Sequence, residues 1–341
     1  MSGQSIVTEQ LASSGSQHRR FAGNTLSDYW ALTKPEVNFL ILITTAVGFY
    51  LACGNQARPL SVIALCNTLL GTLLVASGTG TLNQYIEREF DAQMRRTARR
   101  PAAAGRLKPA AVLAFGIALA ATGSIYLAIA ANLLASLLAI LTLLTYLFVY
   151  TPLKRKTPLC VLVGVFPGAM PPLIGWAAAS GRLNVHAGVL YAILFLWQFP
   201  HFMAIAWMYR EDYDRAGYLV LPKGNARIPF VALETLLPLL ALVAISMLQF
   251  PIRHAAIFYC AGALLSIGFL YFGLEFVLQR SRTAARRLLA ASIVYLPLLF
   301  VLSTTLCNRD ARRSCLPATN SKGASVYFTT TCPVILGWMV R

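Results

Sequence analysis

Acidic residues are scarce in this chain, and so are charged residues as a whole. Only 12 of its 341 residues are Asp or Glu, against 29 Lys and Arg, and charged residues make up 12% of the sequence. Hydrophobic residues account for 57%, and the mean hydropathy is +0.63. This composition excludes a soluble domain of that length and predicts a polytopic membrane protein.

The sequence also shows no cysteine framework, and its first residues do not have the pattern of a cleavable signal peptide. Its 7 cysteines form no CxxC pair and have no metal-ligand spacing, so neither a disulfide scaffold nor a zinc site is indicated. Residues 1–20 contain no apolar stretch of the kind a signal peptide needs. We interpret residues 1–31 as a disordered cytoplasmic tail, 32–306 as the membrane domain, and the Thr-, Ser- and Cys-rich segment 307–341 as a disordered tail of unassigned role.

Runs of about 20 apolar residues predict the membrane-spanning helices. These runs cover 37–53, 60–82, 110–129, 133–150, 159–179, 185–208, 228–248, 255–278 and 288–306. The predicted fold is therefore an all-α polytopic membrane protein, with nine transmembrane helices in one bundle around a central substrate cavity.

Basic residues are concentrated in alternate connections between these spans. They lie in 88–108, 154–156, 210–227 and 280–287, whereas the other connections hold only Arg58, Arg182 and Arg253. The inside-positive rule then places the N-terminus in the cytoplasm, and a bacterial inner membrane is the expected location. Because the basic residues are spread over several loops, we expect the lipid bilayer and phosphorylated substrates as partners. A nucleic-acid partner is not expected, since no single soluble module gathers the basic residues.

The few acidic residues are themselves clustered. Half of them fall in two short groups, which are Glu87, Glu89 and Asp91, and Glu211, Asp212 and Asp214. Each group follows a predicted span, and both face the same side of the membrane. Two sites, or two halves of one site, are indicated.

The first cluster has helical spacing. Asn83, Glu87 and Asp91 recur at four-residue intervals and drift only ~80° around a helix, so they share one face, whereas Glu89 lies on the other side. An amide and two carboxylates suit Mg²⁺, which proteins hold with one or two carboxylates plus substrate phosphates. The arginines that follow would contact phosphate oxygens. The alternative is a solvated helix end with pairs such as Asp91 to Arg95.

Three further features have two interpretations each. Lys34 precedes a helix start at Pro35; an interfacial anchor is the favoured interpretation, and a phosphate contact is the alternative. For the basic turn 150–158, YTPLKRKTP, one interpretation is that it binds carboxylate or phosphate groups, and the other is that it only sets the membrane topology. His201 shares a face with Asp212 if their helix is continuous, or it hydrogen-bonds a neighbouring helix.

Three prolines interrupt the fifth predicted span. Pro167, Pro171 and Pro172 remove backbone donors in the middle of an apolar run. Irregular backbone at membrane depth is tolerated only inside protein or beside a cavity, so this segment is expected to shape the central pocket.

A family resemblance is carried by the first acidic cluster, which from 83 to 101 reads NQYIEREFDAQMRRTARRP. It resembles the signature of the UbiA-type intramembrane prenyltransferases and, within them, of the protohaem IX farnesyltransferase (haem O synthase) family. The similarity extends to YTPLKRKTP, VFPGAMPPLIGWAAASG, HFMAIAW, REDYDRAGY and SIVYLPLLF. It covers most of the chain from Leu32 to about Thr305.

The resemblance implies Mg²⁺-dependent transfer of a farnesyl group from farnesyl diphosphate to a vinyl group of haem B, with water addition, giving haem O and diphosphate. The implied metal-binding and catalytic residues are Asn83, Glu87, Asp91 and Asp212, with Glu211 and Asp214 as secondary metal candidates. The implied substrate contacts are Arg96 and Arg100 for phosphate, His201 and Lys154 for haem and its propionates, and Tyr213.

Two positions depart from the family pattern. Glu87 stands where many members have Asp, and Cys160 stands where Asn is usual. The implied partners include a downstream haem-modifying enzyme or terminal oxidase assembly that receives the product.

Other functions are compatible with the same pattern. A prenyltransferase with a different acceptor, such as an aromatic acid or quinone precursor, would show the same pattern, and basic loops with a broken span also occur in transporters. Glu234 and Glu275 lie toward span ends rather than the midplane, which disfavours ion-coupled transport. A lipid phosphotransferase would also pair acidic motifs with Mg²⁺, but its glycine-containing acidic helix motif is missing.

Overall fold

The structure is a computed structural model that describes residues 25–55, 59–246 and 255–314. Every regular element within these ranges is helical. The main helices are α1 Thr25–Leu32, α2 Pro35–Asn55, α3 Val62–Asp91, α4 Pro109–Ala130, α5 Leu133–Leu144, α6 Cys160–Gly168, α7 Pro171–Ser180, α8 Val185–Met208, α9 Arg210–Arg215, α10 Arg227–Ser246, α11 Ala255–Gln279 and α12 Arg282–Ser314. A π-helical turn, Thr145–Tyr150, and a short turn, Thr151–Leu153, extend α5.

Nine segments of the described chain are helical, long and apolar enough to cross a membrane. Their order and approximate bounds agree with those predicted from the sequence, so the all-α, multi-pass fold class is confirmed. The fifth segment combines α6 and α7 and is the most buried of the set.

Helices extend into both of the tails that the sequence predicts to be disordered. Residues 25–31 belong to α1, which differs from the disordered tail expected over 1–31. The helix forms because Leu32 packs against Leu107 and Val112, which removes its apolar side chain from solvent. At the other end, α12 continues past residue 307 to Ser314. Residues 1–24 and 315–341 lie outside the described ranges.

The proline-rich segment breaks the fifth span as the sequence predicts. Helix α6 ends at Gly168 and α7 begins at Pro171. The second half packs closely on α2, because a Cβ built on Gly175 would lie 2.0 Å from the Thr45 carbonyl oxygen. The surrounding protein therefore accommodates the irregular backbone.

Helices α3 and α4 form the most closely packed antiparallel pair. A Cβ on Gly78 would lie 2.6 Å from the Ala120 backbone nitrogen, so this crossing requires glycine. The C-terminal end of α3 carries the first acidic cluster.

Helix α1 lies across the end of α3. The Gln84 side chain donates a hydrogen bond of 3.0 Å to the Leu32 carbonyl oxygen. Asp28 is buried and forms an ion pair of 2.9 Å with Arg106, in the connection that follows α3. This helix thus joins the start of α2 to the basic loop 92–108.

Candidate active site

The first acidic cluster lies on one buried face of α3, as its spacing predicts. Asn83, Glu87 and Asp91 are 1%, 5% and 1% exposed. The Asn83 amide Nδ2 donates a hydrogen bond of 2.9 Å to Glu87 Oε2. Glu89 points away, with a side chain 71% exposed and paired with Arg88. The interpretation of this cluster as a solvated helix end is therefore wrong.

Each polar side chain on this face meets a different cation. Lys34 Nζ donates to Asn83 Oδ1 at 2.9 Å. Lys154 Nζ lies 2.8 Å from Glu87 Oε1, and Arg100 Nη1 lies 2.8 Å from Asp91 Oδ2. The nearby Arg95, which the alternative interpretation would pair with Asp91, is exposed. The ends of α1, α3 and α5 thus converge on one charged site.

Lys34 is part of this site, so its favoured interpretation as an interfacial anchor is wrong. The residue adopts a left-handed backbone conformation with φ of 53°, which is uncommon for a non-glycine residue and occurs often at functional sites. The Asn38 side chain fixes the turn by donating to the Thr33 carbonyl oxygen at 2.8 Å. Burial, together with the charge of Arg100, lowers the pKa of Lys34 to about 7.

The basic turn after α5 contributes Lys154, whose side chain is 13% exposed. Its ammonium group also lies 4.6 Å from the centre of the Tyr150 ring. Burial alone would lower the pKa of Lys154, but Tyr150 and the Glu87 carboxylate raise it well above its ordinary value. Because the side chain points into the site, setting topology cannot be its only role.

The second acidic cluster occupies α9, where its members differ in burial. The Asp212 side chain is 13% exposed and pairs with Arg215 at 3.2 Å. Asp214 is 45% exposed and lies 3.6 Å from Arg227, while Glu211 is 81% exposed. Burial therefore favours Asp212 as the functional acid of this cluster.

The two clusters are brought together by contacts between their loops. Met94 packs with Ala216 and Tyr218 in a small apolar cluster. Arg96 Nη2 donates a hydrogen bond of 3.3 Å to the Tyr213 hydroxyl. The Arg96 guanidinium also lies 4.7 Å from the centre of the Tyr209 ring. The expectation that the two clusters form halves of one site fits this arrangement.

His201 does not share a continuous helix with Asp212. Helix α8 ends at Met208, and Tyr209 has non-helical backbone angles before α9 begins. His201 Nδ1 instead lies 2.8 Å from the Ser292 hydroxyl oxygen on α12. This is the helix-to-helix hydrogen bond that the alternative interpretation predicts.

The donor groups on α3 fit a hard cation that is shared with a phosphorylated ligand. Within the described ranges, no group of three or more His, Cys, Asp and Glu could hold a metal by protein ligands alone. Asp91 Oδ1, however, is buried and has no hydrogen-bond partner there. A buried carboxylate oxygen without a partner is costly, and Mg²⁺ takes oxygen ligands from one or two carboxylates and completes its shell with phosphate and water.

Two further residues of this site, Thr151 and Tyr218, are not among the candidates that the sequence predicts. Thr151 Oγ accepts a hydrogen bond of 3.3 Å from Asn83 Nδ2. Tyr218 is 3% exposed, and burial and the Glu87 charge raise the pKa of its hydroxyl. Both lie inside motifs that carry the family resemblance, YTPLKRKTP and REDYDRAGY, but only their position in space distinguishes them from ordinary interfacial residues.

The model of the UbiA prenyltransferase family matches residues 41–302. The chain belongs to this family.

Among curated relatives, "Protoheme IX farnesyltransferase" of Solibacter usitatus is 43% identical over 284 residues, covering 81% of this chain and 97% of that protein. The protein of the same name from Koribacter versatilis is 39% identical, covering 87% of this chain and 97% of that protein. "Protoheme IX farnesyltransferase, mitochondrial" of Arabidopsis thaliana is 36% identical, over 79% and 62%.

Solved structures share the fold. A digeranylgeranylglyceryl phosphate synthase structure superposes with a TM-score of 0.66 at 14% identity, covering 84% of this chain and 100% of that one. A UbiA homolog from Archaeoglobus fulgidus bound to GPP and Mg²⁺ superposes with a TM-score of 0.57 at 13% identity, covering 81% of this chain and 99% of that one. At this level of identity the likeness supports the architecture only.

Proposed function

We propose that this prenyltransferase transfers the farnesyl group of farnesyl diphosphate to a vinyl group of haem B in a reaction that requires Mg²⁺. Water addition completes the reaction, which gives haem O and diphosphate. The observation that carries the proposal is the buried face Asn83, Glu87 and Asp91, with a cation against each side chain. The names of the relatives that are 36–43% identical supply the donor and acceptor.

In this proposal the metal-binding residues are Asn83, Glu87, Asp91 and Asp212. Asp91 is the best placed, because one of its carboxylate oxygens is buried and has no partner in the described chain. Glu211 and Asp214 remain secondary candidates, and their exposure argues against them. Mg²⁺ would neutralise charge that develops on the departing diphosphate.

The cations have a second role once the substrate arrives. In this structure Arg100 and Lys154 each neutralise a carboxylate of the site, and Lys34 donates a hydrogen bond to the Asn83 amide oxygen. Phosphate oxygens attract the same cations, and preorganised charges stabilise a leaving group without reorganisation at the moment of reaction. Arg96 is the proposed phosphate contact beside the second cluster, where its guanidinium lies over the Tyr209 ring and donates to the Tyr213 hydroxyl.

The bond changes follow from this charge placement. The bond between C1 of the farnesyl group and the diphosphate oxygen breaks, and the diphosphate leaves with the electron pair. The π electrons of the vinyl group form the new C–C bond to the allylic cation. Water then adds to the resulting carbocation and releases a proton. An apolar helical bundle limits premature capture of the first cation by water.

Membrane placement follows the charge asymmetry of the loops. The acidic clusters and the N-terminus face the cytoplasm of a bacterial cell in this proposal, since the basic connections lie at that end. The phosphorylated donor then enters from the cytoplasm. The apolar product leaves toward the bilayer, where a haem-modifying enzyme or terminal oxidase assembly would receive it.

The direct test is to express the chain and analyse extracted haems by mass spectrometry. We expect a hydroxyethylfarnesyl haem in cells that express the wild-type chain, and none with the Asp91→Ala or Asp212→Ala variants. Isolated membranes supplied with haem and farnesyl diphosphate should lose the product when Mg²⁺ is chelated and regain it when Mg²⁺ is restored.

Other outcomes identify other functions. A prenylated aromatic acid or quinone precursor without farnesylated haem would show a different acceptor. Substrate movement into vesicles without any prenylated product would indicate a transporter. Full turnover by both aspartate variants would refute the proposed site.

A further inference from the structure

The imidazole of His201 is held in one orientation between α8 and α12. Its Nδ1 lies 2.8 Å from the Ser292 hydroxyl oxygen. Its ring stacks on Trp197 of the same helix, with ring centres 4.8 Å apart and an interplanar angle of 27°. The Trp197 indole nitrogen donates to the Ser292 backbone carbonyl oxygen at 2.9 Å. Two independent contacts to Ser292 therefore fix the pair of rings.

The hydrogen bonds of Ser292 determine which imidazole nitrogen carries the proton. The Ser292 hydroxyl donates to the Leu289 carbonyl oxygen at 2.6 Å. A hydroxyl has one hydrogen, and a carbonyl oxygen can only accept, so that hydrogen is already used. Toward His201 the hydroxyl must then accept, and Nδ1 of the imidazole is the donor. In the neutral ring Nε2 is then unprotonated, and its lone pair is available to a ligand.

The second nitrogen of His201 has no protein partner in the described chain. No hydrogen bond within those ranges involves Nε2, and no carboxylate pairs with the ring to favour the imidazolium form. The residue is half-buried, so part of the ring remains accessible. A histidine that only joined two helices would need one nitrogen, and the oriented second nitrogen is left available for a ligand.

We propose that Nε2 of His201 is an axial ligand of the iron of the porphyrin substrate, and that Ser292 and Trp197 are positioning residues that act through it. This inference rests on the proposed function, because it assumes a haem acceptor. Metal-ligating histidines typically donate their other N–H to an oxygen, which fixes the tautomer and the ring orientation. The arrangement of His201 and Ser292 has this form.

The chain offers a matched control on the same helix. His186 lies near the start of α8, 15 residues before His201, which corresponds to roughly 22 Å along a helix. A His186→Ala variant therefore removes an imidazole from α8 without altering the environment of His201.

The test measures haem ligation by the purified full-length protein in detergent. Ferric haem is titrated into wild type, His201→Ala, His186→Ala and Ser292→Ala, and the absorption and electron paramagnetic resonance spectra report axial nitrogen ligation. We expect nitrogen ligation in wild type and His186→Ala, and its loss in His201→Ala. Added imidazole should restore the ligation signature in His201→Ala, which shows that the variant is folded.

Ser292→Ala tests the positioning role separately. Loss of the acceptor for Nδ1–H should weaken haem binding by about 10- to 100-fold, in line with other residues that orient metal-ligating histidines. In the ferrous state the iron–histidine stretching frequency should fall, because the imidazole becomes a weaker base without that hydrogen bond. A protein that used Ser292 only for packing would keep the wild-type frequency.

The results distinguish this inference from the proposed function. If wild type makes farnesylated haem and His201→Ala keeps the wild-type ligation spectrum, the axial-ligand inference is overturned and the proposed function stands. If wild type neither binds haem nor produces farnesylated haem, the proposed function fails first. An unchanged iron–histidine frequency in Ser292→Ala would overturn the positioning role alone.

Discussion

Arg100 Nη1 lies 2.8 Å from Asp91 Oδ2, although nine residues separate them and α3 ends at Asp91. The Asp91 side chain is 2% exposed and the Arg100 side chain 30% exposed, so this ion pair connects the basic loop to the end of α3. The loop bends back because the Thr97 hydroxyl donates to the Asp91 carbonyl oxygen at 2.9 Å. The basic loop is therefore part of the site wall.

The first prediction compares three arginines of this loop. Arg100→Lys should raise the KM for farnesyl diphosphate by about 10-fold or more, because lysine keeps the charge but loses the planar fork that can engage carboxylate and phosphate together. Arg96→Lys should have a smaller effect in the same direction, since Arg96 contacts aromatic side chains that lysine also binds.

The control for these variants is Arg95→Lys, because Arg95 is an exposed neighbour in the same loop. The KM for farnesyl diphosphate is measured by steady-state kinetics in membranes, and protease protection checks that each variant has the wild-type topology. If all three variants keep the wild-type KM, then the loop contributes only charge, and the inside-positive rule is sufficient to explain it.

The second prediction compares Asp91 with Glu89, which lie on opposite sides of α3. Asp91→Asn should lower kcat by about 100-fold or more, because an amide is a weaker ligand for Mg²⁺ and leaves Arg100 without its partner charge. Glu89→Gln should have almost no effect, since the Glu89 side chain is exposed on the other side of α3. Turnover is measured against Mg²⁺ concentration in both variants; equal losses would show that burial on this face has no functional meaning.

Much of this site could be predicted from the sequence, because its main parts follow local rules. Four-residue spacing places Asn83, Glu87 and Asp91 on one face of any helix, and length and hydropathy define the spans. Proline chemistry likewise predicts the break between α6 and α7.

The rest depends on contacts between distant segments. The sequence separates Lys34 from Asn83 by 49 residues, and only the packing of α1 across α3 brings Nζ to the amide. The same holds for the pairing of Lys154 with Glu87 across 67 residues. Whether the helix continues past Met208 stays open in the sequence, because neither proline nor glycine marks the break at Tyr209.

The third prediction tests Lys34. Lys34→Met should raise the KM for farnesyl diphosphate several-fold, because it removes a cation that lies against Asn83 while keeping a side chain of similar length. Lys34→Gly should be at least as impaired in substrate binding, although glycine relieves the left-handed backbone strain at this position.

Thermal unfolding separates the two effects of these Lys34 variants. Lys34→Gly should be the more stable of the two if φ of 53° is a source of strain. The exposed Lys156 supplies a matched control in Lys156→Met, which should behave as wild type in both assays. Wild-type KM values in both Lys34 variants would show that this cation does not contribute to substrate binding.

The last prediction tests whether α1 holds the basic loop in place. Asp28 is 6% exposed, and its ion pair with Arg106 connects α1 to the loop that carries Arg100. Arg106 Nη1 also donates to the Arg99 carbonyl oxygen at 3.0 Å, so a change at Asp28 is transmitted to the residue beside Arg100. Asp28→Asn should lower the free energy of unfolding by about 1.5 to 3 kcal/mol, the range for a hydrogen bond to a charged group.

The functional consequence should appear in substrate binding rather than in chemistry. We expect the KM for farnesyl diphosphate to rise a few-fold with kcat nearly unchanged, because Asp28 touches none of the acidic residues of α3. Glu36→Gln serves as the control, since Glu36 is an exposed acid close to α1. A double-mutant cycle of Asp28→Asn with Arg106→Gln should give a coupling energy, because the two side chains contact each other directly. Purely additive effects would mean that α1 and the loop are independent, and that Arg100 takes its position from Asp91 and Thr97 alone.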